Sequence, residues 1–250
     1  MAPPLVAVAH GSRDPRSAAT VSALVEVLRL RAPELDVRAA FLDLSAPRLP
    51  DVLTALHREG HRDVVVVPLL LGTAFHARVD LPALVAEATA RLPRLSVAVS
   101  GVLGPDPRLP ALALRRLAQA GAYPGEDGLG VVLAGAGSSH APANAVVAAV
   151  AAEWAGSLGW AGVTAAFASA ARPDVPAAVE LLRAAGARRL AVASWFLAPG
   201  RLPDRVAALA RAADPDVVLA EPLGPDPLLA DLVLDRFAEA AASYAGLRYA

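Results

Sequence analysis

The chain has 250 residues, is 56% apolar and carries a formal net charge of −1. That balance implies a well-buried globule with room for one large domain or two of about 100–150 residues each. It argues against a disordered chain or an electrostatic nucleic-acid binder. Cysteine is absent, which excludes disulfides, cysteine-ligated zinc and thiolate catalysis and fits a cytoplasmic protein. The apolar run Val64–Leu71 is far short of the ~20 residues needed to cross a bilayer, so no membrane span is expected. Met-Ala-Pro-Pro at the start lacks a basic region followed by an apolar core, and no signal peptide is expected.

Short apolar runs alternate with helical periods. The first predicted strand is Leu5–Ala9. A helix follows Asp14-Pro15, with Ala18, Val21, Val25 and Leu28 near 3.6-residue spacing. Asp14 suits its cap and Pro15 its first position. A second strand spans Val37–Leu42. A second helix starts near Pro50, buries Val52, Leu53 and Leu56, and stops at Gly60. Val64–Leu71 is the third strand. The third helix follows Asp80-Leu-Pro, uses Leu84, Val85 and Ala88, and has Asp80 as its expected cap. Ser96–Val102 is the fourth strand. Strand alternating with helix implies a parallel sheet covered on both faces.

The pattern then repeats. Phe41 and Phe167, both after Val-x-Ala-Ala, lie 126 positions apart, as do Pro50 and Pro176, Gly60 and Gly186, and Gly11-Ser12 and Gly137-Ser138. The later pair LGPDPRL (Leu103–Leu109) and LGPDPLL (Leu223–Leu229) lies 120 apart, so six residues are lost in between, in the loop after the third strand. The chain therefore reads as two duplicated α/β domains, 1–122 and 123–250, with the Gly- and Pro-rich stretch Gly121–Gly130 as linker. A cleft between two such domains is a common location for a ligand pocket.

Ligands of open parallel sheets bind beyond the carboxyl ends of the strands. That edge collects His10 after strand one, Asp43 after strand two, and His76, Arg78 and Asp80 after strand three. His57 and His61 fall at the opposite edge and read as solvent-exposed. His140, near the position matching Asp14, has an open role. At the 126 spacing His10 matches Ala136 and His76 matches Leu202, so both histidines are missing from the second copy together. Paired presence suggests a paired task. Two neutral imidazoles suit a first-row divalent metal, and so incomplete a site suits handing a metal over more than storing it. Metal-free acid/base chemistry by the two histidines is the competing reading. Arg13 and Arg78 can bind carboxylates through forked hydrogen bonds, and the Gly11-Ser12 and Gly137-Ser138 turns can offer N–H groups to anions. No G-x-S-x-G, H-E-x-x-H, Walker A or G-x-G-x-x-G motif is present.

The stretches AHGSRDP, FLDL, VPLLLGTAFHARVDLP and the degenerate second-copy SWFLAPGRLPDRV resemble the sirohydrochlorin chelatases, the cobalt- or iron-inserting class II chelatases. The resemblance covers essentially the whole chain. It implies two tandem flavodoxin-like three-layer α/β domains facing a tetrapyrrole. It also implies ATP-independent insertion of Co2+ or Fe2+ (or Ni2+) into sirohydrochlorin, with the metal as substrate and no organic cofactor. Carried over by motif, the metal-site histidines are His10 and His76. Asp43 stands where the family commonly has Glu, and is the expected catalytic helper. Gly11, Ser12, Arg13, Arg78, Ser138 and Arg201 are the expected substrate-binding residues. The expected protein is a cytoplasmic monomer, its duplication replacing a dimer, with no nucleic-acid or membrane partner. A non-catalytic tetrapyrrole or metal carrier is the alternative of a different class.

Overall fold

The computed structural model describes residues 2–72 and 80–248. Strands β1 (Leu5–Ala9), β2 (Val37–Phe41), β3 (Asp63–Pro68) and β4 (Ser96–Val99) alternate with helices α1 (Pro15–Arg31), α2 (Leu49–Arg58) and α3 (Leu81–Arg91). The strands form a parallel sheet in the order β2-β1-β3-β4. β3 is shorter than its apolar run because Pro68 has no N–H to give the ladder. Leu69 N–H still reaches the Val8 carbonyl at 2.7 Å, beyond which the pairing ends. β4 stops at Val99, ahead of the expected Val102.

Strand alternation divides the core. Val6, Val8, Ala40, Val64 and Val66 face Leu49, Leu53 and Leu56 of α2 and Leu81 and Ala88 of α3. Leu5, Ala7, Val65 and Val67 point the other way and are also buried. A parallel sheet needs cover on both faces. The second cover comes from α1 and from α8 (Pro227–Arg248), the last helix of the chain.

The second series contains α4 (Arg108–Gln119), β5 (Leu129–Gly135), α5 (Ala141–Ser157), β6 (Gly162–Phe167), α6 (Val175–Ala184), β7 (Arg189–Ser194), α7 (Arg201–Ala213) and β8 (Val218–Leu219). Its parallel sheet has the matching order β6-β5-β7-β8. The compact units divide differently from the expected boundary at 122/123. One unit comprises Met1–Pro105 and Gly224–Ala250, the other Asp106–Leu223. The reason is an exchange of helices. α4 follows β4 in the chain but packs on β7, whereas α8 follows β8 and packs on α1, β3 and β4. Each exchanged helix is tied by an arginine within its own unit. Arg116 on α4 donates from Nε and Nη2 to the Leu223 carbonyl at 3.2 and 2.7 Å. Arg236 on α8 donates to the Val102 and Leu103 carbonyls at 3.1 and 3.3 Å.

The six-residue difference between copies falls where the sequence placed it. β3 ends at Pro68 and α3 begins at Leu81, whereas β7 ends at Ser194 and α7 begins at Arg201. This corrects one pairing. Leu202 sits inside α7 and is not the counterpart of His76, whose position belongs to the longer interval of the first copy.

Two turns meet at the carboxyl end of each sheet. Gly11 has φ +93°, and a Cβ there would lie 1.7 Å from the Asp43 carbonyl oxygen. Gly137 has φ +82°, and its Cβ would lie 1.9 Å from the Ser169 carbonyl oxygen. The facing residues Leu44 and Ala170 take φ of 62° and 55°. These backbone demands explain why the glycine recurs in both copies.

Leu112 of α4 is 1% exposed, so Leu112→Ala is expected to cost about 2–5 kcal/mol. In hydrogen-exchange mass spectrometry its lost protection should appear in peptides from residues 106–223, not in those from residues 1–105. Gly11→Ala combines a left-handed backbone with a main-chain clash and should lower stability by about 2 kcal/mol or more in urea titrations.

Candidate metal centre

The strand order makes β1 a switch point. α1 carries the chain from β1 to β2 on one side, and α3 carries it from β3 to β4 on the other. The crevice past the carboxyl ends of β1 and β3 is the ligand position of such sheets. His10 follows β1 directly. His76 and Arg78, on the segment after β3, lie outside the described residues.

His10 is half-buried, and its Nδ1 lies 3.0 Å from the Gly11 carbonyl oxygen. A carbonyl oxygen only accepts, so Nδ1 carries the hydrogen and donates it. A metal-ligating histidine characteristically has its other ring nitrogen held in this way by a carbonyl. Asp43 N–H donates to the His10 carbonyl at 2.9 Å, tying the two residues through the backbone. The Asp43 side chain is 59% exposed and lies 3.2 Å from Arg48 Nη1. It is a surface carboxylate in an ion pair, not a buried base.

The turn after His10 is closed internally. Ser12 N–H donates to Ser45 Oγ at 3.0 Å, and Ser45 Oγ donates to the Ser12 carbonyl at 2.9 Å. Asp14 N–H donates to Ser12 Oγ at 3.0 Å, and Asp14 caps α1 by accepting from Arg16 N–H. In the second copy Ser138 N–H donates to Asn144 Oδ1 at 2.9 Å, and His140 N–H donates to Ser138 Oγ at 3.0 Å. The amides of Ser12 and Ser138 are thus engaged within the protein. His140 precedes α5 without capping it through its side chain, and Asp80 likewise makes no side-chain cap to α3. Arg13 is exposed on the His10 turn, and Arg201 is exposed as the first residue of α7.

His57 and His61 differ from expectation, since both are half-buried. His57 Nε2 is buried without a hydrogen-bond partner among the described residues. Ligand atoms of Asp36, Glu59 and His61 lie within 4.8 Å of one another. However, Arg38 donates to both carboxylates, through Nε and Nη2 to Asp36 at 3.1 and 2.8 Å and through Nη1 to Glu59 at 2.9 Å. That guanidinium holds the Glu59 carboxyl below the usual carboxylate range and is itself held more firmly protonated. Asp36 and His61 precede β2 and β3, placing this group at the opposite end of the sheet from His10. Its Asp-x-Arg and Glu-x-His spacings were visible in the sequence but are too common to signal anything alone.

Comparison with known proteins bears on both copies. The CbiX family model matches residues 4–120 and 130–240. A sirohydrochlorin ferrochelatase of Priestia megaterium is 26% identical over 199 residues, covering 80% of this chain and 74% of the relative. A sirohydrochlorin cobaltochelatase of the same organism is 25% identical over 206 residues, covering 80% and 65%. The structure of SirB from Bacillus subtilis with Fe3+ aligns with a TM-score of 0.80 at 25% identity, covering 98% of each chain. Two parallel sheets of one order, repeated within one chain and matched over nearly their whole length, leave a single conclusion: the chain belongs to the CbiX family.

Proposed function

We propose that this chain inserts a divalent metal, Co2+ or Fe2+, into sirohydrochlorin. The observation that carries the reading is the His10 imidazole at the switch point, its Nδ1 held by the Gly11 carbonyl. In this reading His10 and His76 present the metal to one face of the macrocycle. Two pyrrole N–H protons must leave as the metal enters. One imidazole, helped by the surface carboxylate of Asp43, accepts the two protons in turn as the pyrrole nitrogens replace it on the metal, and releases each to solvent. The Ser12 and Ser138 amides being engaged, the substrate carboxylates are met by the guanidinium forks of Arg13, Arg78 and Arg201. Gly11, Ser12 and Ser138 shape the turns beside them. The metal is a substrate and no organic cofactor takes part. The protein acts as a monomer in the cytoplasm.

The test is an absorbance assay with sirohydrochlorin and Co2+, Fe2+ or Ni2+. Conversion faster than the uncatalysed rate is expected, whereas binding without turnover would indicate a carrier. His10→Ala and His76→Ala should each lower insertion by about a hundredfold or more, and Asp43→Asn by about tenfold, with the fold intact by circular dichroism. Chelation near the wild-type rate by either histidine variant overturns the assignment.

A further inference from the structure

The two copies share a backbone but close the turn after β1 and β5 with different partners. Both have Gly-Ser at the turn, and in both the serine Oγ accepts the N–H two residues on, at 3.0 Å. They part at the serine's own amide. In the second copy Ser138 N–H and the Ser138 carbonyl are both met by Asn144, at 2.9 and 2.7 Å, from the helix that follows. In the first copy the position matching Asn144 is Ala18, and the same two groups are met by Ser45. Ser45 lies on the turn after β2 that also carries Asp43, and the position matching it in the second copy is Ala171. A clamp from the facing turn onto the serine's own amide therefore occurs in the copy that has His10. In the second copy the facing turn reaches the Ala136 carbonyl instead, through Ser169 Oγ at 3.1 Å, and leaves the Gly137–Ser138 peptide to Asn144.

The clamp acts on the histidine through one rigid group. The Gly11 carbonyl and the Ser12 N–H belong to the same peptide unit, which is planar. At one end Ser12 N–H is fixed by Ser45 Oγ at 3.0 Å. At the other end the Gly11 carbonyl takes the His10 Nδ1 hydrogen at 3.0 Å. Rotation of this plane would swing the carbonyl away from the imidazole. Gly11, lacking a Cβ and sitting at φ +93°, offers little resistance to such rotation by itself. Satisfying the serine amide does not require Ser45, since the second copy does so from its own helix. What Ser45 adds is a fixed link between the peptide that orients His10 and the turn that carries Asp43.

We infer that Ser45 is a positioning residue for the metal site, holding the Gly11–Ser12 peptide so that the Gly11 carbonyl keeps its hold on His10 Nδ1 and with it the orientation of the imidazole. The inference rests on the reading of His10 as a metal ligand. Ser45→Ala, Ser45→Thr and the isosteric Ser45→Val, in the full chain, separate the hydroxyl from side-chain volume. Visible-absorption titration with Co2+ alone gives metal affinity. Steady-state insertion gives kcat and KM for sirohydrochlorin, and thermal melting reports the fold.

Ser45→Ala and Ser45→Val should weaken Co2+ binding by about tenfold, the scale on which groups behind a metal ligand act. kcat should fall with KM changed by less than about twofold, and Ser45→Thr should restore both to near wild type. Wild-type Co2+ affinity in Ser45→Ala, or equal affinity in the Thr and Val variants, overturns the inference. So does a loss that follows melting temperature and not the hydroxyl. His10→Ala serves as the reference. If it keeps wild-type Co2+ affinity, the metal-ligand reading itself fails. If it loses affinity while Ser45→Ala does not, only the role of Ser45 fails.

Discussion

Neighbouring parallel strands lie only about 4.8 Å apart, and β1 and β2 discharge their chains at the same end of the sheet. Their two exit turns must pass each other in that space. Here they do so with the Gly11 α-carbon against the Asp43 carbonyl, an approach that leaves no room for a side chain. The remaining backbone bonds follow from this contact: Asp43 N–H to the His10 carbonyl, and Ser45 N–H to the Asp43 carbonyl at 2.7 Å. The residue with chemistry to offer is therefore set beside the turn by main-chain geometry before any side chain acts.

The duplication shows which part of this arrangement is scaffold. Both copies retain the glycine, the serine and the left-handed residue facing them. The side chains at the edge have diverged: His10 against Ala136, Asp43 against Ser169, Asp14 against His140, Ser45 against Ala171. The interval after the third strand has diverged in length as well. Although it lacks counterparts of His10 and His76, the second copy is not dispensable. Its last helix, α8, covers the second face of the first sheet, and α4 does the reciprocal work on β7. Losing either copy would strip apolar surface from the sheet that remains, at about 25 cal/mol for each Å² exposed.

Much of this was legible from residues. Asp14-Pro15 marked the start of α1, and Val52, Leu53 and Leu56 marked the buried face of α2. The duplication was readable because Phe, Pro and Gly held one spacing. The helix exchange was not legible. α4 and α8 have similar sequences and would suit either sheet, and hydrophobic periodicity tells that a helix is buried but not against what. The burial of His57 and His61 is not legible in the sequence for a related reason. Polar residues flanking a glycine turn read as surface, whereas Arg38 from β2 gathers Asp36 and Glu59 around that corner. Ser45 carries no signal in the sequence because a serine in a turn is ordinary. Its meaning lies in a partner 33 residues away.

The contrast between the two ends of the first sheet also bears on what a metal-transferring protein requires. Asp36, Glu59 and His61 are the richer donor set by proximity. But a guanidinium cannot give up its proton, and Arg38 already fills the space between the carboxylates. A cation arriving there would have to displace a charge-assisted network. At the other end an imidazole stands with its tautomer fixed, beside a carboxylate that is mostly in water. Structural metal sites close four protein ligands around the ion and hold it. Passing a metal to a competing set of nitrogens demands the opposite: few ligands, firmly oriented, with open positions through which the acceptor can enter. The sheet end that is poor in donors but rigid in backbone meets that demand better than the end whose donors are already engaged by a guanidinium.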